Sequence, residues 1–195
     1  MIFKGKNGPL LIAEIGGNHE GNFNMAIKQT LLAIKSGCDV IKFQMYKGDT
    51  LVNPKVDPGR NKHFKKFELT KQQYIQLAEI CKKNKVIFNA SIWDTSMIPW
   101  VDKYLKFYKI GSGDLTAYPI LEDFAKRKKP IILSTGLSTL QEIKKTVNFL
   151  KNQNKYYHKK NNLVIMQCTS SYPTLYKDLN LNVIETFKKE FNHLV

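Results

Sequence analysis

Two lysines, two acids and a few hydroxyls hold most of the chemistry this sequence can offer. The densest case is Lys109-Ile-Gly-Ser-Gly-Asp114, where an apolar run delivers a lysine, breaks at Gly111-Ser112-Gly113 and meets Asp114 at once. Two glycines flanking a serine let the main chain approach an anion, and consecutive N–H groups form a concave anion nest. Lys42 and Gln44 end a second apolar run, Glu14 ends a third, and Ser91 and Ser134 close two more. A cation on a buried strand is costly unless it meets an anion. Two such cations, neutral donors at Gln44, Ser91, Ser112 and Ser134, and the glycine backbone suit a small doubly charged ligand bearing phosphate and carboxylate. Glu14 and Asp114 are placed to handle protons or substrate hydroxyls. For each residue the competing reading is an internal ion pair, or a lysine that snorkels to solvent.

The elements that must position these groups follow from periodicity. Continuous apolar runs at 10–14, 38–44, 86–91, 106–110, 130–136 and 163–169 read as strands buried on both faces. Between them lie helical stripes: Phe23, Ile27, Leu31 and Ile34, stopped by Gly37; Tyr74, Leu77, Ala78 and Cys81; Leu140, Ile143, Val147 and Leu150. Thr70–Gln73 and Ser138–Gln141 match capping boxes. Shorter helices are predicted over 96–104, 116–126 and 182–191, and the polar segment 45–68 reads as a long loop.

Strand and helix alternating six times predict a parallel sheet covered by helices. A doubly wound sheet and a (β/α)8 barrel both fit. Polar groups stand at the end of every strand (Glu14, Lys42, Ser91, Lys109, Ser134, Thr169) rather than at one switch point, and no GxGxxG follows the first strand. Both points favour the barrel. A full barrel takes eight units and typically ~250 residues. The expectation is therefore one α/β domain over 1–195, of (β/α)8 TIM-barrel type, incomplete at about six units and truncated near a seventh strand. Its first and last strands would be open edges.

Bulk properties exclude several classes. The net charge is +15, yet of 31 basic residues only Arg60 and Arg127 are arginines. Lysines spread over polar helix faces do not make the clustered Arg/Lys surface of a nucleic-acid binder. No apolar run approaches the ~18 residues of a membrane span, and Glu14 interrupts the N-terminal run before any signal-peptide pattern. Cys38, Cys81 and Cys168 are odd in number and far apart, which reads as reduced core cysteines of a cytoplasmic protein.

With these motifs assembled, the chain resembles a known family. AEIGGNHEG (13–21), IKFQ (41–44) with YKGDTL after it, YKIGSGD (108–114), PIILSTG (130–136) and QCTSSYPTLYKDLNL (167–181) together resemble the sialic acid synthases. These include the N-acetylneuraminate, legionaminate and pseudaminate synthases and related spore-coat polysaccharide enzymes. The resemblance implies condensation of phosphoenolpyruvate with an N-acetylhexosamine-type aldose, with Mn or Mg as divalent metal and release of phosphate. By motif it places Lys42, Gln44, Lys109, Ser112 and Ser134 on phosphoenolpyruvate. Ser91 stands where Thr is frequent, Ser170 and Tyr172 face the sugar, and Glu14 touches substrate. Asp114 takes the catalytic acid/base position, while His19 is expected to be a structural hydrogen-bonder.

The metal-binding histidines of the family belong to later strands, beyond Val195. His63, His158 and His193 sit in polar stretches without ligand spacing, so no metal ligand is assigned. The antifreeze-like C-terminal domain is also absent, and the full-length family implies a homodimer. Two other readings stand beside the synthase: a non-catalytic remnant or split subunit that binds phosphoenolpyruvate alone, and a deoxy-heptulosonate phosphate synthase type of enzyme.

Overall fold

The computed structural model describes residues 3–195, which divide into two compact units, one ending at Lys106 and the other running Phe107–Val195. The first unit opens with a short antiparallel hairpin, β1 (Lys4–Gly5) and β2 (Gly8–Pro9). Two-residue strands carry no periodicity, so sequence gave no sign of it. Asp39 pins the hairpin by accepting from the N–H groups of Lys6 and Leu11, and those bonds hold its carboxyl below the usual range.

There follow β3 (Ile12–Gly16), α1 (Phe23–Lys35), β4 (Val40–Met45), α2 (Gly48–Leu51), α3 (Pro58–Phe67), α4 (Lys71–Lys83), β5 (Ile87–Ile92) and α5 (Ile98–Val101). β3, β4 and β5 form a parallel sheet in that order. β4 and β5 are each buried at all but one position. Leu11 is 56% exposed and Glu14 faces solvent, so the expectation that every strand is covered on both faces does not hold for the edge strand β3. Behind β4 the core is aromatic. Phe43 stacks on Phe88 at 5.7 Å and meets the ring of Tyr74 on α4 edge-on at 6.4 Å.

The segment 45–68 is not a loop, as its polarity suggested, but carries α2 and α3. Helix α3 has no apolar stripe to read. It starts because Pro58 fits the first turn and Asp57 caps it, accepting from the Arg60 N–H. It is held by buried Asn61, which donates to the carbonyls of Gly48 and Val52 at 3.0 and 2.9 Å, and by Phe64, whose ring meets that of Tyr46 edge-on at 5.3 Å.

The second unit contains β6 (Tyr108–Ile110), α6 (Tyr118–Lys126), β7 (Ile131–Ser134), α7 (Leu140–Gln153), β8 (Leu163–Met166) and α8 (Val183–Glu190). Its sheet is parallel in the order β6-β7-β8, and Leu194 adds a parallel bridge to Val164 on the far side of β8. All six strands expected from the apolar runs are therefore present. The Thr70–Gln73 capping box is formed as expected. The other box is displaced by one residue: Thr139 and Glu142 make it, while Ser138 donates its hydroxyl to the Gly136 carbonyl.

His193, expected in a polar stretch, is buried at 5% exposure. Burial, assisted by the nearby charge of Lys151, pushes its pKa down to about 4. An unfolded histidine titrates near 6.5, so the unfolded chain binds this proton first as pH falls. This contribution to stability is intact above pH ~6.5 and lost on acidification toward ~4. Urea midpoints measured between pH 7 and 5 should fall, and His193→Gln should flatten that slope. No described helix is long and apolar enough to cross a membrane.

Candidate functional site

Each unit gathers polar groups at the carboxyl end of its sheet. In the first, the parallel register sets Glu14 beside Lys42 and Gln44 beside Ser91. Lys42 is 6% exposed, and its Nζ lies 2.7 Å from Glu14 Oε2 and donates to Ser91 Oγ at 3.1 Å. The buried ammonium thus meets a carboxylate and a hydroxyl supplied by the two neighbouring strands. Gln44 closes the group against the turn after β3. There Gly16 has φ 57°, and a Cβ on it would stand 3.2 Å from Glu14 Oε1 and 3.6 Å from Gln44 Nε2. Glycine is favoured here by the left-handed backbone, and a Cβ would crowd the Glu14 carboxylate.

His19 is structural, as expected. Its Nδ1 accepts the Gly21 N–H at 3.1 Å, which places the ring proton on Nε2, and burial lowers its pKa. Asp94 is a residue that the sequence reading left without a role. It is buried beyond β5, where its carboxylate accepts from Thr50 Oγ1 and from the Ser96 N–H. It therefore ties the start of α2 to the strand end. Its only sequence signal was an acid just past an apolar run.

In the second unit Lys109 projects from β6, and its Nζ donates to Ser134 Oγ on β7 and to the Ile110 carbonyl. Gly111 leads into a single 3₁₀ turn, Ser112–Asp114, which folds the acid back. A Cβ on Gly111 would lie 3.0 Å from Asp114 Oδ2. Ser112 Oγ accepts the N–H of Gly136 at 2.9 Å. A Cβ on Gly136 would meet the hydroxyls of Ser170 and Ser112, so both side chains lie against this glycine. Lys109, Ser112, Asp114, Ser134 and Ser170 are thus brought together. Tyr172 is 97% exposed. Immediately past Gly136, Leu137 is held at φ 60°, a strained conformation for a non-glycine residue.

Chemically, each sheet end carries an ammonium bonded to a serine hydroxyl, with a carboxylate on Lys42 in the first unit and Asp114 close to Gly111 in the second. Such a set can bind and orient an anion and place an acid beside it. A divalent ion is another matter. No group of three or more His, Cys, Asp or Glu side chains able to hold a metal exists among the described residues. The described side chains do not fit the ion that the resemblance implies. The chemistry open to them is binding, orientation and proton handling.

Comparison with known proteins agrees with these motifs. The NeuB family profile matches residues 30–195. N,N'-diacetyllegionaminic acid synthase of Legionella pneumophila is 33% identical over 196 residues, covering 93% of this chain and 54% of that protein. The crystal structure of N-acetylneuraminic acid synthetase from Leptospira borgpetersenii, in complex with citrate, superposes with a TM-score of 0.85 at 28% identity, over 94% of this chain and 62% of that one. A truncated 3-deoxy-D-arabino-heptulosonate 7-phosphate synthase from Thermotoga maritima, 14% identical with a TM-score of 0.66 over 94% of this chain and 61% of that one, shares the fold alone. The fold is α/β with parallel sheets, of the barrel type and incomplete, as expected. The chain spans about half the length of the curated relatives it matches.

Proposed function

The chain belongs to the NeuB family, and from that membership we propose that it serves the synthesis of a nonulosonic acid by holding phosphoenolpyruvate for condensation with an N-acetylhexosamine-type aldose. The observation that carries this reading is the ammonium of Lys42, 6% exposed and fixed by strand register beside Glu14 and Ser91. A buried cation held at a sheet end and reached by hydroxyls is a device for an anion rather than for stability. The citrate in the Leptospira relative, a small polycarboxylate, is consistent with anion binding in this family.

In this reading Lys42 and Lys109 bind the charged groups of phosphoenolpyruvate, with Gln44, Ser91, Ser112 and Ser134 as neutral partners. C3 of the bound enol attacks the sugar aldehyde. Water adds at C2, and the tetrahedral intermediate collapses with loss of phosphate. Each lysine stabilises charge that persists through both stages. Asp114 moves the protons, and Glu14 and Ser170 contact the sugar. Tyr172 is assigned to the same side by motif alone. Lys42 exchanges Glu14 for the donor on binding, which frees Glu14 for the acceptor. The protein acts in the cytoplasm, and its full-length assembly is a homodimer.

Incubation with phosphoenolpyruvate, an acetamido aldose and Mn²⁺ tests the proposal. Inorganic phosphate released in step with a 2-keto acid supports the synthase. Donor binding without release instead supports a chain that only holds the donor. Absence of donor binding contradicts both.

A further inference from the structure

A second anion device lies at the other end of β5, within the first unit. A cavity of about 570 Å³ opens there, with Ala78, Val86 and Phe88 on its floor. Four lysines, Lys82, Lys85, Lys103 and Lys106, stand around it. It is separate from the cluster at Ser91, which lies four residues further along β5 than Ile87, or roughly 13 Å at about 3.3 Å per residue.

Lysines at a helix C-terminus ordinarily face its free carbonyls. Here that explanation is already used up by the backbone. The carbonyls of Ile80, Cys81 and Lys82 accept from the N–H groups of Asn84, Val86 and Lys85. Glu79 is the one carboxylate in the lining, and it stands 4.0 Å from Lys82, at the limit of an ion pair. The balance in the cavity is four ammonium groups against one acid. Lys85 itself occupies a left-handed position, φ 58°, where glycine is the favoured residue. A strained backbone therefore carries a cation into a concave, partly apolar space. Tyr104 adds a half-exposed ring to the same lining.

We propose that this cavity binds a small organic polyanion with the chemistry of a nucleoside diphosphate: clustered phosphate charge for the four lysines, and a flat ring for Tyr104 and the apolar floor. The volume lies within the ~300–1,000 Å³ of small-molecule sites. Four ammonium groups at one mouth suit two linked phosphates, and a ring on Tyr104 would gain the stacking contact that aromatic faces offer to bases. A site at the amino end of a strand, away from the carboxyl-end clusters, would regulate rather than react.

The test is calorimetric titration of the whole chain with ADP and with pyrophosphate. ADP should bind at micromolar to millimolar concentration and weaken as salt rises. Lys85→Gly removes the cation while relieving the strained backbone, so the fold is kept, and it should weaken ADP about tenfold. Lys128→Gly alters the same kind of left-handed turn (φ 54°) outside the cavity and should change nothing. Tyr104→Leu should reduce ADP to the level of pyrophosphate. The proposal is overturned if ADP does not bind, if Lys85→Gly binds as well as wild type, or if pyrophosphate already equals ADP in the unaltered protein. Far tighter capture of single-stranded RNA at the same lysines would also overturn it. Because none of these residues belongs to the Lys42 or Lys109 cluster, phosphoenolpyruvate binding succeeds or fails independently.

Discussion

Lys42→Met should leave the protein as stable as wild type, or more so, while phosphoenolpyruvate affinity falls about hundredfold. The two halves of this result come from one geometry. Lys42 is buried and Glu14 is its ion-pair partner at 2.7 Å, but the Glu14 side chain is 48% exposed. Removing the lysine leaves a carboxylate that water can solvate, so no buried charge is orphaned. Methionine fills the same volume, and replacing a buried ion-pair member by an apolar residue is often neutral or stabilising once nothing charged is stranded. The reverse change is not equivalent. Glu14→Gln strands the ammonium in the sheet and should cost on the order of 1–3 kcal/mol. For the ligand, loss of a buried hydrogen-bonded charge partner costs roughly 2–5 kcal/mol, and about 1.4 kcal/mol is a factor of ten. Urea unfolding and donor titration on the same two variants check both halves. Equal destabilisation by the two changes would refute the asymmetry.

Phe43→Ala should be the most destabilising single truncation near the site, at about 3–5 kcal/mol. Phe43 is fully buried on β4, stacked on Phe88 and edge-on to Tyr74, on the opposite face of the strand from Lys42. The rings of Phe88, Tyr74 and His19 border the space, and whatever they fail to fill is left as a cavity whose lining loses contacts. The melting temperature should fall by about 10 °C. Leu137→Ala removes a comparable side chain that is 85% exposed, and should change stability by less than about 0.5 kcal/mol. Circular dichroism melts of the pair separate burial from mere hydrophobicity. Similar losses in both would contradict the core assigned here.

Much of this was written in the sequence because strand burial and strand-end chemistry coincide. The apolar runs read as strands even where cover is partial: β4, β5 and β7 are buried almost throughout, while β3 and β8 carry exposed residues. Lys42, Lys109 and Ser134 stood out because a polar residue in such a run has nowhere else to go. The left-over errors have equally local causes. Helix α3 is mostly polar, held by Asn61, its cap and the ring contact of Phe64 with Tyr46, so the 45–68 segment looked like loop. The second capping box slid by one residue because Ser138 and Thr139 are chemically alike, and only the bonds to Glu142 decide between them. Tyr172 is a different case, assigned by motif rather than by burial, and its exposure leaves that assignment as it stood. Glu14 illustrates a different limit. Sequence offered it as a proton-handling acid, and the fold shows that in the ligand-free chain it is also the counter-ion of Lys42. The lysine cavity behind β5 left no trace at all, since its four cations come from two stretches about twenty residues apart and looked like ordinary solvated residues.

The most direct test of the central claim is a titration of the ¹⁵N-labelled chain with phosphoenolpyruvate, followed by amide chemical shifts. The account predicts that the largest changes in the first unit fall on Lys42, Gln44 and Ser91, and that these vanish in Lys42→Met. Shifts confined to Lys82, Lys85, Lys103 and Lys106, or an unchanged response in Lys42→Met, would contradict it.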